Sequence, residues 1–289
     1  NLCMSRIRKL YFFDKKKVQD IVSFLDNKAN DNYINNIMFN PFMLLHYFLP
    51  LRFKYLPESY VLKENKTIRG LITISPTNNK NVRMEIQKLF FEENAYSDAE
   101  ELVQFVVSKY KAMGAFSIII KVDDYMTDLL SMLVLKCKFC QISYEKLWKI
   151  NDFPSNHNED YEFSLFRNSD KNLIANLYND SVLPHFRPLL SKEPEDFTDN
   201  IFKGLTYYNE YKYVFKDNET KNIAGLLDIK TSDDKNFIID IIQSSWLDVD
   251  LSVIINFAIN QVRKRRSDFN VYLKTKRYTN FCEKYEKYC

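Results

Sequence analysis

Cys137 and Cys140 form a C-x-x-C, a spacing that suits a dithiol redox centre or half of a zinc site. Zinc would need a second cysteine pair or nearby imidazoles, and Cys3, Cys282 and Cys289 are scattered, as are His46, His157 and His185. No metal site is expected, and the two thiols read as small core residues near a helix end. His46 lies in the apolar run 42–48 and reads as a buried histidine. The chain holds only four glycines, Gly70, Gly114, Gly204 and Gly225, no two close together. Both glycine-rich phosphate loops, the dinucleotide-binding and the P-loop type, are therefore excluded.

The densest charge is the basic run Arg263-Lys264-Arg265-Arg266, with Lys274, Lys276 and Arg277 nearby. Such a run could hold nucleic acid or an acidic partner. It also closes a helix pattern, where cations complement the last carbonyls, and a solvated helix end accounts for it without a partner. The formal charge of +3 adds no global pull toward nucleic acid or an anionic membrane.

The elements that must position any site occur twice. Tyr60-Val61-Leu62-Lys63-Glu64-Asn65 through Arg69-Gly70-Leu71-Ile72 returns as Tyr213-Val214-Phe215-Lys216-Asp217-Asn218 through Ala224-Gly225-Leu226-Leu227. Both read strand, polar turn, strand. Ile7, Leu10, Asp14, Val18 and Ile21 correspond to Phe163, Phe166, Asp170, Ile174 and Leu177, a strand running into an acid-capped helix. Leu102, Phe105, Val106 and Tyr110 match Ile255, Ala258, Ile259 and Arg263 on a long helix, and apolar strands 116–121 and 269–274 follow. Four segments in one order predict a tandem repeat.

At 289 residues and 46% hydrophobic content, two ordinary domains with packed cores are affordable. No run approaches the ~20 apolar residues that span a bilayer, and 5–12 lacks a signal-peptide core. With five scattered cysteines, a reducing cytoplasmic location without membrane partners is expected.

The first half reads as a strand at 5–12, helices at 14–25 and 32–48, and a hairpin at 59–74. A strand at 83–91, a helix at 97–113, a strand at 116–122, a helix at 126–135 and strands within 139–150 follow. This order resembles the GCN5-related N-acetyltransferase (GNAT) fold, an α/β (α+β) fold. The expected organisation is a GNAT-like domain over 1–150, an acidic linker over 151–160, and a second GNAT-like domain over 161–289 truncated after its last helix. Ile37-Met38-Phe39-Asn40-Pro41-Phe42 through Leu51-Arg52-Phe53 and Leu56-Pro57-Glu58-Ser59 is also similar to an uncharacterised tandem acetyltransferase-like family of cyanobacterial type.

The resemblance implies acetyl-CoA or another acyl-CoA as cofactor and an unidentified amine as acceptor. The cofactor would lie along Leu89 and Phe91, its pyrophosphate on the backbone amides of Asn94-Ala95-Tyr96-Ser97-Asp98-Ala99, with Leu102 in the usual leucine position. This loop departs from the R/Q-x-x-G-x-G/A pattern: Asn94 replaces the Arg or Gln and Ser97 the first Gly. Glu92, Glu93, Asp98, Glu100 and Glu101 add negative charge where phosphates would sit, although acids also favour a first helical turn. Tyr96 would stack on adenine or simply pack. The second half offers Leu247-Asp248-Val249-Asp250-Leu251-Ser252, with neither glycine nor base, so binding is expected in the first half.

The family's tyrosine acid falls on Val134 in one half and Cys282 in the other. Glu85 and Asp240 lie on the two fourth strands, where a partly desolvated carboxylate would serve as general base, or else is an outward-facing strand charge. Two functions stay open: an acyl-CoA-dependent N-acyltransferase, or a binding or scaffold protein that kept the fold. With the chain stopping at Cys289, strand 269–274 is expected as an uncovered edge, to be covered by the first domain or by a second copy in a homodimer.

Overall fold

The computed structural model describes residues 6–14, 16–18, 58–77, 83–152, 160–198 and 209–289. The chain divides into two compact units, Asn1–Gln141 and Ile142–Cys289. Of the helix expected over 14–25 only 14 and 16–18 are described: Asp14 ends a 3-10 turn, Phe12–Asp14, and 16–18 are helical. The region 32–48 with His46, Cys3, most of the linker and His157 lie outside the described residues, as does most of 37–59.

In the first unit, β1 (Ile7–Lys9), β2 (Glu58–Glu64), β3 (Thr67–Pro76), β4 (Arg83–Phe91) and β5 (Ser117–Ile120) form one sheet in that order. Only β4 and β5 run parallel, because α1 (Tyr96–Ala112) carries the chain back between them. The α1 sequence has no glycine or proline, and its buried Ala99, Leu102, Val103, Val106 and Tyr110 recur at helical spacing. They pack on Tyr60, Leu62, Ile72, Ile74, Met84 and Ile86 of the sheet, with Leu129, Met132 and Leu133 from α2 (Thr127–Leu135). Gly114, at φ +93°, ends α1: its N–H donates to Lys111 O, and Ala115 N–H donates to Tyr110 O. That double closure of the last carbonyls needs a left-handed residue, which glycine supplies without strain.

The second unit holds β6 (Glu145–Lys149), β7 (Tyr161–Leu165), α3 (Lys171–Ser181), α4 (Arg187–Leu190), β8 (Asn209–Asp217), β9 (Ile223–Thr231), β10 (Asn236–Gln243), α5 (Leu251–Arg263), β11 (Asn270–Lys276) and α6 (Cys282–Tyr288). Its sheet order is β6-β11-β10-β9-β8-β7. Phe215, Leu227, Ile239, Val271 and Leu273 pack with the buried side chains of α5, while Val214, Leu226 and Ile242 on the other face meet Ile174, Leu177 and Tyr178 of α3.

Two expectations are corrected here. Strand β11 is not an edge: β6 pairs with it antiparallel, from Tyr272 opposite Lys149 to Lys276 opposite Glu145. Accordingly the units divide at Gln141/Ile142 and not at residue 150, and the strand counted with the first domain completes the second. Trp148 reinforces the pairing by donating Nε1–H to Thr275 Oγ1 at 3.0 Å. An exposed β11 edge therefore no longer argues for a homodimer.

The repeat extends to irregularities. A β-bulge places Arg69 as the extra residue between the Leu62/Gly70 and Lys63/Ile68 pairs, and Ala224 does the same between Phe215/Gly225 and Lys216/Ile223. A Cβ on Gly225 would lie 2.1 Å from Ile242 O and 2.3 Å from Phe215 Cζ, and one on Gly70 would meet Leu102 Cδ1 at 2.7 Å. Each glycine marks where a neighbour presses closely on the bulged hairpin.

Candidate functional site

In the first unit the pairing of β4 with β5 stops at Ile86 opposite Ile120, while β4 runs on to Phe91. A second bulge falls at that point: Ile74 pairs with Ile86 and Thr73 with Lys88, leaving Gln87 as the extra residue. A bulge bends its strand and re-aims the residues after it. The edge of β4 beyond Ile86 meets no further strand among the described residues.

The chain then turns directly into α1. Ala95 N–H closes the turn on Glu92 O at 2.9 Å, and Asn94 adopts φ +62°, a left-handed conformation that asparagine tolerates. No side chain caps the helix. The amides of Tyr96 and Ser97 have no acceptor among the described residues, as at the open first turn of any helix without a side-chain cap.

Two arginines pair with three of the acids around this turn, Glu92, Asp98 and Glu101, and with Glu64 of β2. Arg69, the bulge residue, donates from Nε to Asp98 Oδ2 at 2.8 Å and reaches Glu64 at 3.2 Å and Glu92 at 3.4 Å. Arg6 lies 3.4 Å from Glu101, 3.5 Å from Glu64 and 3.7 Å from Asp98. Asp98 is buried and turned toward these guanidinium groups. Pairs at this exposure add little stability, but they offset part of the charge that the sequence places beside the helix end.

No family model matches the chain, and no curated protein matches it. Solved structures do. A tandem GNAT protein from the clavulanic acid biosynthesis pathway superposes with a TM-score of 0.62 at 10% identity, covering 97% of this chain and 93% of that one. A GCN5-related N-acetyltransferase from Sphaerobacter thermophilus does so with a TM-score of 0.56 at 10% identity, over 96% and 89%. The fold is that of the tandem GNAT proteins.

Within this GNAT fold the residues singled out from the sequence fall into three places. Asn94, Ala95, Tyr96 and Ser97 form the turn and first helical residues, with the Tyr96 ring 5.5 Å from Phe91. Leu89 and Phe91 pack on the α1 side of β4. Ala99 is fully buried in the core, where it lets the helix approach the sheet and does not line the turn. Glu85 lies on the opposite face from Leu89 and Phe91, because it pairs with Ser75 and Ile119 and alternates with the buried Met84 and Ile86.

Register also brings in a residue that the sequence reading missed. Residues three apart on a regular strand face opposite ways, but the extra Gln87 puts Lys88 opposite Thr73, on the Glu85 face. That face carries a polar row: Ser59, Thr73, Ser75, Glu85 and Lys88, with the Ser59 and Thr73 hydroxyls 2.8 Å apart. Burial pushes the Lys88 ammonium below its ordinary pKa, against the pull of Asp123. Only a register could have revealed this.

The second unit has the same frame with its openings closed. Its β10–β9 ladder runs from Ile238/Lys230 to Gln243/Gly225 without a bulge. Asp250 caps α5, its Oδ1 accepting Ser252 N–H at 2.9 Å, so a carboxylate sits where an anion would bind. Where β10 and β11 part beyond Ile239/Leu273, Lys276 Nζ lies 2.5 Å from Asp240 Oδ1. The buried Tyr285 hydroxyl donates to Gln243 Oε1 at 3.0 Å. Burial alone would raise Asp240, but Lys276 and then Lys274 outweigh it and hold the carboxyl well below the usual range. Register makes Asp240 the counterpart of Lys88, since each pairs with the residue three beyond the bulge glycine, Asp228 or Thr73. Glu85 and Asp240 are thus not equivalent.

Acid chemistry from the α2 side is weak. Val134, which the sequence resemblance aligned with a tyrosine acid, is half-exposed and holds no proton to donate. Burial pushes the neighbouring Cys137 thiol up to about 11, and burial followed by Glu286 raises Cys282. Among the described residues no group of His, Cys, Asp and Glu could hold a metal, and no helix is long and apolar enough to cross a membrane.

Proposed function

We propose that the first unit is an acyl-CoA-dependent N-acyltransferase acting on an amine. The observation that carries this reading is the bulged β4, which parts from β5 beyond Ile86 and runs into a helix with no side-chain cap, three of its neighbouring acids paired with Arg69 or Arg6. Acyl-CoA would supply an activated thioester. The Tyr96 and Ser97 amides would hold its pyrophosphate, with the rest of the cofactor lying along β4 by Leu89 and Phe91. Glu85 and Lys88 line the polar face of the same strand and are the groups available to deprotonate the amine, directly or through water.

Calorimetric titration with acetyl-CoA and longer acyl-CoAs tests the reading. One site per chain is expected. Ser97→Asp should abolish it by placing a carboxylate on the free amides, and Asp250→Arg should leave it unchanged. Loss on Asp250→Arg with retention on Ser97→Asp would reverse the assignment. A non-catalytic binding role is the second reading, favoured by the missing hydroxyl at Val134. Binding without transfer to any of a panel of amines would select it.

A further inference from the structure

The two units differ at one sheet edge. Both pair their fourth and fifth strands in parallel and in the same register: Met84 and Ile86 lie opposite Ile118 and Ile120 in the first, Phe237 and Ile239 opposite Val271 and Leu273 in the second. These residues turn toward the long helix of their own unit and join its core. In the second unit β6 covers β11, and Val271 and Leu273 are fully buried. In the first unit β5 ends the sheet with nothing paired beyond it among the described residues, and Ile118 and Ile120 are only half-buried. Phe116, just before the strand, is 66% exposed. The stretch 115–120 holds no charge and no proline, and its pairing with β4 shows no bulge. An edge without those devices is a template for another strand.

The second unit shows which strand suits such an edge. On the helix side of β6, Trp148 stands opposite Leu273, and Ile150 just beyond the strand donates its N–H to Val271 O at 2.9 Å. The cover is antiparallel and carries an aromatic residue two places before an isoleucine. The β5 segment has that same pattern, Phe116-Ser117-Ile118 against Trp148-Lys149-Ile150. One antiparallel register of β5 with itself reproduces the arrangement. Ile118 of one copy faces the partner's Ile118, as Ile150 faces Val271, and Phe116 faces the partner's Ile120, as Trp148 faces Leu273. Residues directly opposite share a face of the sheet, so each helix-side contact is apolar, and the central pair exchanges both its N–H···O bonds.

We propose that the outer edge of β5 is a homodimer interface, where two copies of this chain pair β5 antiparallel about a two-fold axis at Ile118 and join their first-unit sheets into one. Such an isologous contact closes at two copies. The strand is short, so the association is weak and concentration-dependent. The proposal does not rest on the acyl-CoA reading.

Sedimentation velocity of the full chain, over a series from micromolar to submillimolar, tests it. A dimer should appear within the series. Phe116→Glu changes an exposed side chain, so circular dichroism and the melting midpoint should stay the same while the dimer weakens ~10-fold or more. Leu147→Glu, at an exposed position on β6, should leave the dimer unchanged. Ile118→Cys should form a symmetric disulfide under mild oxidation, since opposite Cα atoms in such a pair lie ~5.5 Å apart. Mass spectrometry should then find the peptide carrying residue 118 linked to itself. A chain that stays monomeric throughout would overturn the proposal, whether its own residues cover the edge or leave it bare. So would a dimer that survives Phe116→Glu, one that dissociates on Leu147→Glu, or one in which Ile118→Cys yields no self-linked peptide.

Discussion

Asp228 shows how one buried carboxyl sets a pH dependence. Burial raises it, Lys230 lowers it and Glu210 raises it again, leaving a pKa of about 6, against ~3.9 in an unfolded chain. The folded state therefore binds the proton more tightly. Its stabilising effect is fully present below about pH 4 and is lost as pH rises toward 6. Asp228→Asn should raise the melting midpoint at pH 7.5 and leave it nearly unchanged at pH 4, as scanning calorimetry would show. An equal shift at both pH values would contradict this account. Glu58 has the opposite sign. Burial would raise it, but hydrogen bonds from Lys9, Tyr60 and Tyr110 outweigh that and hold it at about 2. Its contribution is present above an unfolded pKa near ~4.3 and is lost as pH falls through the folded value. Glu58→Gln should thus cost about 1–3 kcal/mol at neutral pH and much less near pH 2, measured by urea unfolding.

At the scale of elements, the two bulged hairpins predict unequal sensitivity to the same substitution. In Gly225→Ala the new methyl meets a backbone carbonyl at 2.1 Å and the Phe215 ring at 2.3 Å, neither of which can move without breaking β10 or the core. In Gly70→Ala the nearest atom is the end of the Leu102 side chain, which can rotate, followed by Phe90 O at 3.1 Å. Gly225→Ala should cost about 3 kcal/mol or more and Gly70→Ala about half that, given the usual cost of overpacking. Equal losses in denaturant melts would show that the carbonyl of Ile242 yields. The helix termini differ in the same local way: Asp250 closes α5, whereas Ala95 leaves α1 open.

For the molecule as a whole, the consequence of β6 belonging with β11 is a fragment experiment. Residues 142–289 should fold and show slow exchange at the Val271 and Leu273 amides, whereas residues 151–289 lack β6, expose the β11 edge and should aggregate or melt earlier. Similar stability of the two fragments would show that β6 contributes nothing to the second unit. If the acyl-CoA reading holds, residues 1–141 alone should retain the titration signal and residues 142–289 should not.

The sequence by itself determined that the chain is a repeat, which element order each half follows, that glycine-rich nucleotide loops are excluded, and where the loop before α1 lies. These are legible because periodicity, turn residues and the scarcity of glycine are properties of neighbours along the chain. It also identified Gly70 and Gly225 as counterparts, though not the bulges beside them. Only the tertiary structure decided which strand covers β11, that Arg69 and Arg6 meet the acids near the helix end, that Lys88 joins Glu85 on one face, and that Asp240 is locked by Lys276. Each of those facts depends on pairing register or on partners tens of residues apart. One extra residue in a strand reverses every facing after it, and composition carries no trace of that.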